Sequence, residues 1–124
     1  FIFPYSRFNK KVIDGLYLPF ILCAFYIYFL SQTKGLFSAD FSSIAGILDL
    51  FRNSTEESAA AGWIHYLAFD YFVGCWIVNH SIKKGIPYIV FITPLICTLF
   101  AGPFGLLLFL VLRFFYKRFT LKDA

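Results

Sequence analysis

Three long stretches of this chain carry almost no charge, and that limits its fold more than any other feature. Gly15 to Thr33 has no charged residue, Ser58 to Ile82 has Asp70 alone, and Gly85 to Leu112 has none. A helix crossing a bilayer needs about 20 largely apolar residues, and each stretch is long enough. A soluble domain of this size would leave a large share of its surface in water. With 60% hydrophobic residues, 23% aromatic residues and a mean hydropathy of +0.73, the chain lacks the polar surface for that. The sequence predicts an all-α fold, a multi-span membrane helix bundle in which residues 1–124 form one membrane domain.

Three full transmembrane helices plus an interfacial amphipathic helix are expected. The first span covers 12–31, with Asp14 at its mouth as a cap or local ion pair. Over 37–52, Phe37, Phe41, Ile44, Leu48 and Phe51 fall on one helical stripe, with Asp40, Ser42, Ser43, Asp49 and Arg52 opposite. At about 1.5 Å per residue such a helix is too short and too polar to cross. It reads as a helix lying in the interface or packed over the bundle. Ser54-Thr55-Glu56-Glu57 then has the form of a capping box, with Ser54 as cap and Glu57 three residues on. That reading is preferred to the glycosylation sequon spelled by Asn53-Ser54-Thr55.

The second span covers 55–80. The third, 86–116, would exceed about 40 Å as one straight helix, against a hydrocarbon core of about 30 Å. Pro94 and Gly102-Pro103 interrupt it, so a kinked span is expected, with Pro103 turned to the bundle interior, where freed carbonyls find protein or water. Ala101 and Gly105 offer a smooth face for a partner helix. If all three runs are single crossings, Arg7, Lys10, Lys11, Lys83 and Lys84 share one side. Lys34, Arg52, Lys117, Arg118 and Lys122 share the other, and the count sets no orientation.

The chain has no methionine, so it is expected to begin inside its precursor, with Phe1-Ile2-Phe3-Pro4 as the last turn of a helix whose body is absent. Its three cysteines, Cys23, Cys75 and Cys97, are dispersed and suggest neither a disulfide framework nor a zinc site. Basic residues flank the spans without forming a stripe, which argues against nucleic acid as a partner. The lipid bilayer is the expected partner.

The chemistry is concentrated in Gly62 to Trp76, which holds His65 and Asp70 in an apolar run. A carboxylate at the bilayer centre costs roughly 2.5–3.5 kcal/mol. Such a group is tolerated for a site, a proton path or a hydrogen bond between helices. The bland reading is a protonated Asp70 bonded to a neighbouring helix, with His65 a satisfied core histidine. His65 and Asp70 lie about 140° apart round a helix and about 7–8 Å along it, which argues against a direct dyad. His65 and His80 are about 22 Å apart along the axis, too far to share one haem. What remains is a narrow apolar cleft. Tyr66, Asp70 and Gly74 share a face, Trp63, Phe69, Phe72 and Trp76 add flat surfaces, and a long apolar ligand with a polar end would suit it.

The segment GWIHYLAFDYFVGCWIV, followed by KKGIP, TPL and AGPFGLLLF, resembles the ABA-deficient-four-like family. The resemblance covers roughly Phe41 to Tyr116, and FNKKVIDGLYLPF resembles that family's second span. It implies a four-helix fold whose first helix is largely missing here. Plant members are plastid membrane proteins required for neoxanthin synthesis, so the resemblance implies a plastid (thylakoid or envelope) or bacterial inner membrane. The implied reaction converts a 5,6-epoxycarotenoid end group to an allene, with no redox cofactor. Protonating an epoxide oxygen and removing a neighbouring proton suit Asp70 as acid and His65 as base. The ligand would lie against Trp63, Tyr66, Phe69, Gly74, Trp76 and Pro103. The chain departs from bacterial relatives, which carry arginine where Cys75 stands and aspartate where His80 stands. Loss of that charge pair favours a second class, a pigment-associated or structural subunit of a larger photosynthetic membrane complex. It would hold carotenoid or chlorophyll, with His65 or His80 as candidate chlorophyll ligands and no metal site otherwise.

Overall fold

The computed structural model describes Lys11 and residues 17–122, and these are helical except for short connections. The expectations for Phe1 to Pro4, for Arg7, Lys10 and Asp14, and for the start of the first span lie outside the described residues. Helix α1 (Tyr17–Gln32) is apolar on all sides and buries only Pro19. A 3₁₀ turn at Leu36–Ser38 leads to α2 (Ile44–Arg52), then α3 (Glu56–Lys83) and the helical run α4 (Tyr88–Lys122). Both α1 and α4 pack against α3.

The amphipathic helix is shorter than its stripe, because Asp40 captures the chain ahead of it. The Asp40 carboxylate accepts from the Ser42 amide at 2.8 Å and the Ser43 hydroxyl at 2.7 Å. Ser43 Oγ then accepts from the Gly46 amide at 3.0 Å and caps α2. These bonds hold the exposed Asp40 carboxyl below the usual carboxylate range, the Ser42 hydroxyl contributing most. Phe37, Phe41, Ile44, Leu48 and Phe51 all remain exposed, so the stripe is not packed over the bundle. The start of α3 also differs from expectation. Thr55, not Ser54, is the cap, and Ser58, not Glu57, completes the box. Ser58 Oγ accepts from the Thr55 amide at 2.7 Å. Glu56 and Glu57 still fill the first turn, where a helix dipole favours them.

The largest correction concerns 86–116, which is not one kinked span. Helicity breaks at Ala101 (φ −148°, ψ 65°), and the arms 88–100 and 102–122 lie side by side as a hairpin. Lys84 and Lys117, which a straight helix would hold about 50 Å apart, line a single cleft. Phe91 and Leu95 of the first arm and Phe109 of the second enter one core with Cys75, Ile77 and Val78 of α3. The sequence AGPFG explains the reversal. Pro103 sits in the first turn of the second arm, where its fixed φ suits a new helix and its missing N–H is not needed. Gly105 lies so close to the Thr98 backbone that a Cβ would overlap it. The smooth face expected for an outside partner is therefore used inside the chain, and Ala101 is exposed.

Among the described residues, one helical run is long and apolar enough to cross a membrane by length and composition, Tyr88–Thr120. Three full crossings are not found by that measure. Helix α1 is apolar but has 16 residues. Helix α3 has 28, yet His65, Asp70, Asn79, His80 and its tyrosines and tryptophans lower its hydropathy. The apolar surface is nonetheless extensive: Phe37, Phe100, Ile44 and Ile89 are each at least 77% exposed.

Candidate functional site

Asp70 lies halfway along α3, and the hairpin tip comes to it. Gly102 is buried against the carboxylate, and a Cβ there would land on Asp70 Oδ1. A break between helices leaves free carbonyls at the end of the first arm and free N–H groups at the start of the second. Asp70 therefore faces the break between the two arms.

Cavities open on both sides of this contact, and Asp70 lines each. One, of about 280 Å³, is bounded by Trp63, Tyr66, Phe100, Gly102 and Pro103. The other, of about 590 Å³, lies between α1, α3 and the first arm, against Leu18, Leu22, Gly74, Ile92 and Leu95. Among the described residues, Asp70 is the one charged side chain in either lining.

The expected site residues fall into three groups. Trp63, Tyr66, Gly74 and Pro103 gather round Asp70 in its two cavities. Pro103 is itself exposed, while Gly102 beside it is buried. His65 is elsewhere: its ring lies 5.7 Å from Tyr26 of α1 and 4.8 Å from Phe69, and neither His65 nor Phe69 lines the Asp70 cavities. Trp76 stacks on His80 at 5.1 Å, with Phe109 edge-on to Trp76 at 5.8 Å. The structure thus separates the expected acid from the expected base. Asp70 meets the hairpin; His65 meets α1.

Sequence reasoning missed Gly102, Leu18, Leu22, Ile92 and Leu95. The signal for Gly102 was the pair of glycines flanking Pro103, which mark a close approach of backbones more than a kink. Among the described residues, no group of three or more His, Cys, Asp and Glu side chains could hold a metal ion, and Cys23, Cys75 and Cys97 are in no disulfide.

The family model ABA DEFICIENT 4-like matches residues 1–109. This chain belongs to the ABA DEFICIENT 4-like family. No curated protein and no solved structure matches it. The ABA DEFICIENT 4-like match takes in α1, α2, α3, the first arm and the hairpin tip, and it ends inside the second arm. The Asp70 cavities belong to that matched portion, whereas Arg113, Tyr116 and Lys117 lie beyond it.

Proposed function

We propose that this chain is an integral membrane protein that holds an elongated apolar ligand of the carotenoid class, with the ligand's polar end at Asp70. In this reading α1, α3 and the hairpin are embedded together, and α2 lies in the interface on its uncovered apolar stripe. The observation that carries it is the largely apolar cavity of about 590 Å³ in which Asp70 is joined only by Tyr71 and Thr98 as polar residues among the described lining, within the usual size of a small-molecule site. Helix α3 is about 42 Å long, so its midpoint lies deep in a bilayer. Irregular backbone at that depth is tolerated where it lines a cavity, and the hairpin tip does so. The carotenoid class comes from the family. The protein would act as a pigment-associated component of a larger membrane complex in a plastid or bacterial inner membrane, with carotenoid, or chlorophyll at His65 or His80, as the bound pigment.

A second reading, a carotenoid epoxide isomerase, is favoured by a carboxyl group that lines a largely apolar cavity. The separation of His65 changes its mechanism. Asp70 alone would give its proton to the epoxide oxygen, and the resulting carboxylate would take the proton lost from the neighbouring carbon. The balance closes with no second residue and no redox cofactor.

One experiment tests both. The full chain is purified from carotenoid-producing cells and its pigments are extracted, for the native protein and for Asp70→Asn and Gly74→Leu. Pigment retained by the native protein and by Asp70→Asn, but lost in Gly74→Leu, supports the holding role. Allene product that disappears in Asp70→Asn supports the isomerase. Folded native protein with neither pigment nor product would end both readings.

A further inference from the structure

The far end of the hairpin presents a second site of opposite character. Helix α3 ends at Lys83, Lys84 caps it, and buried Ile86 begins the return. Because α4 folds back, residues of its second arm reach this corner. Lys84, Ile86, Arg113, Tyr116, Lys117 and Thr120 line a cleft of about 220 Å³. Three of the six are cations. Lys83 and Arg118 stand next to it in sequence, and no Asp or Glu occurs between Asp70 and Asp123. Among the described residues, no acidic side chain lines the cleft. Thr120 Oγ1 donates to the Tyr116 carbonyl at 2.9 Å, which directs its proton away from a ligand.

A cleft built from three cations repels itself unless an anion occupies it. Arg113 offers a planar fork that suits phosphate oxygens, while Lys84 and Lys117 supply point charges. Apolar surface surrounds this polar mouth, with Ile86 buried in its lining and Phe114 and Phe115 exposed on the next turns of the second arm. Basic pockets between helices at a membrane surface bind the headgroups of anionic lipids.

We propose that this cleft takes a phosphate group, carried by an anionic phospholipid headgroup or by a soluble phosphate. This rests on the membrane placement proposed above, which the test examines separately. The detergent-purified full chain is titrated with phosphatidylglycerol in mixed micelles, with phosphatidylcholine as the neutral control and with inorganic phosphate. Thermal unfolding is followed, and helicity by circular dichroism checks each variant.

Stabilisation by phosphatidylglycerol, absent with phosphatidylcholine and inorganic phosphate, supports the lipid source. Equal stabilisation by inorganic phosphate supports the soluble source. In either case Arg113→Gln should weaken apparent binding about five-fold, since one basic residue near an anionic surface is worth about 1 kcal/mol. The exposed Lys84→Gln should do the same where Arg113→Gln lowers helicity. No response to either anion, or a response unchanged in both variants, would overturn the proposal. Flotation with phosphatidylcholine vesicles reports membrane insertion alone, so its failure removes the membrane placement while the phosphate titration still reads the cleft.

Discussion

The two halves of α3 have the same kind of sequence and opposite surroundings. In the first half, Trp63, Tyr66 and Phe69 are exposed, and Ala61 is the only buried residue. In the second, Gly74, Cys75, Ile77, Val78 and Ser81 are buried beneath the two arms of α4. Asp70 marks the boundary. Aromatic content does not distinguish the halves; the reach of the hairpin does, because its tip stops at Gly102. The second half is held by protein. The first packs against α1 and leaves Trp63, Tyr66 and Phe69 uncovered.

Substitutions break or sharpen this contrast, and the core gives the largest effect. Phe109 is fully buried, and Phe109→Ala should cost about 3–5 kcal/mol, read as a lowered unfolding midpoint in detergent. Gly105→Ala comes next, because the new methyl meets the Thr98 backbone. Overpacking of this kind costs about 1–3 kcal/mol. Spin labels at Lys84 and Lys117 report the same feature directly: a separation near 50 Å, the straight-helix value, would refute the hairpin. Trp63→Ala, in the exposed half, should change stability by less than about 0.5 kcal/mol. A cost equal to that of Phe109→Ala would erase the contrast between the halves.

The smallest effect is at Asp40, outside the helices. Its carboxyl is lowered from 3.8 by bonds from Ser42 and Ser43. A lowered folded value means that these bonds favour the folded form above pH 3.8 and lose their effect as pH falls through the lowered value. Nuclear magnetic resonance titration should place the Asp40 midpoint below 3.8, and Ser42→Ala should move it back up. A midpoint at 3.8 in the native chain would show that the bonds do not persist in solution.

Helix content and the placing of Gly74 on one face with Asp70 followed from sequence because periodicity and charge-free length are local properties. The polar cluster around Asp70 was also legible, since Trp63, Tyr66 and Gly74 recur at steps of three or four from one another or from Asp70. The reversal at Ala101 was not. Gly102-Pro103 breaks a helix in any reading, and the angle after the break depends on what the glycines touch. Gly105 finds Thr98 seven residues back, and Gly102 finds Asp70 in another helix. The angular separation of His65 from Asp70 was legible in their spacing, but the neighbours of His65 were not. Its place beside Tyr26 depends on how α1 lies on α3, which no spacing within α3 contains.

In the membrane placement proposed above, folding α4 back on itself also decides which charges would travel through the membrane during insertion. As a single crossing, the chain would have to carry Arg113, Lys117 and Arg118 across the hydrocarbon. As a hairpin, both arms enter and leave on one face, and these side chains never make the journey. They collect with Lys83 and Lys84, while Asp40, Asp49, Glu56 and Glu57 gather with Lys34 and Arg52 at the other end of α3. Since the excess of lysine and arginine stays on the side of synthesis, the hairpin would turn an even count into a directed one in that placement. A membrane-impermeant thiol reagent should reach Lys84→Cys and Lys117→Cys from the same side, in a background lacking Cys23, Cys75 and Cys97; labelling from opposite sides would mean that the last arm had crossed.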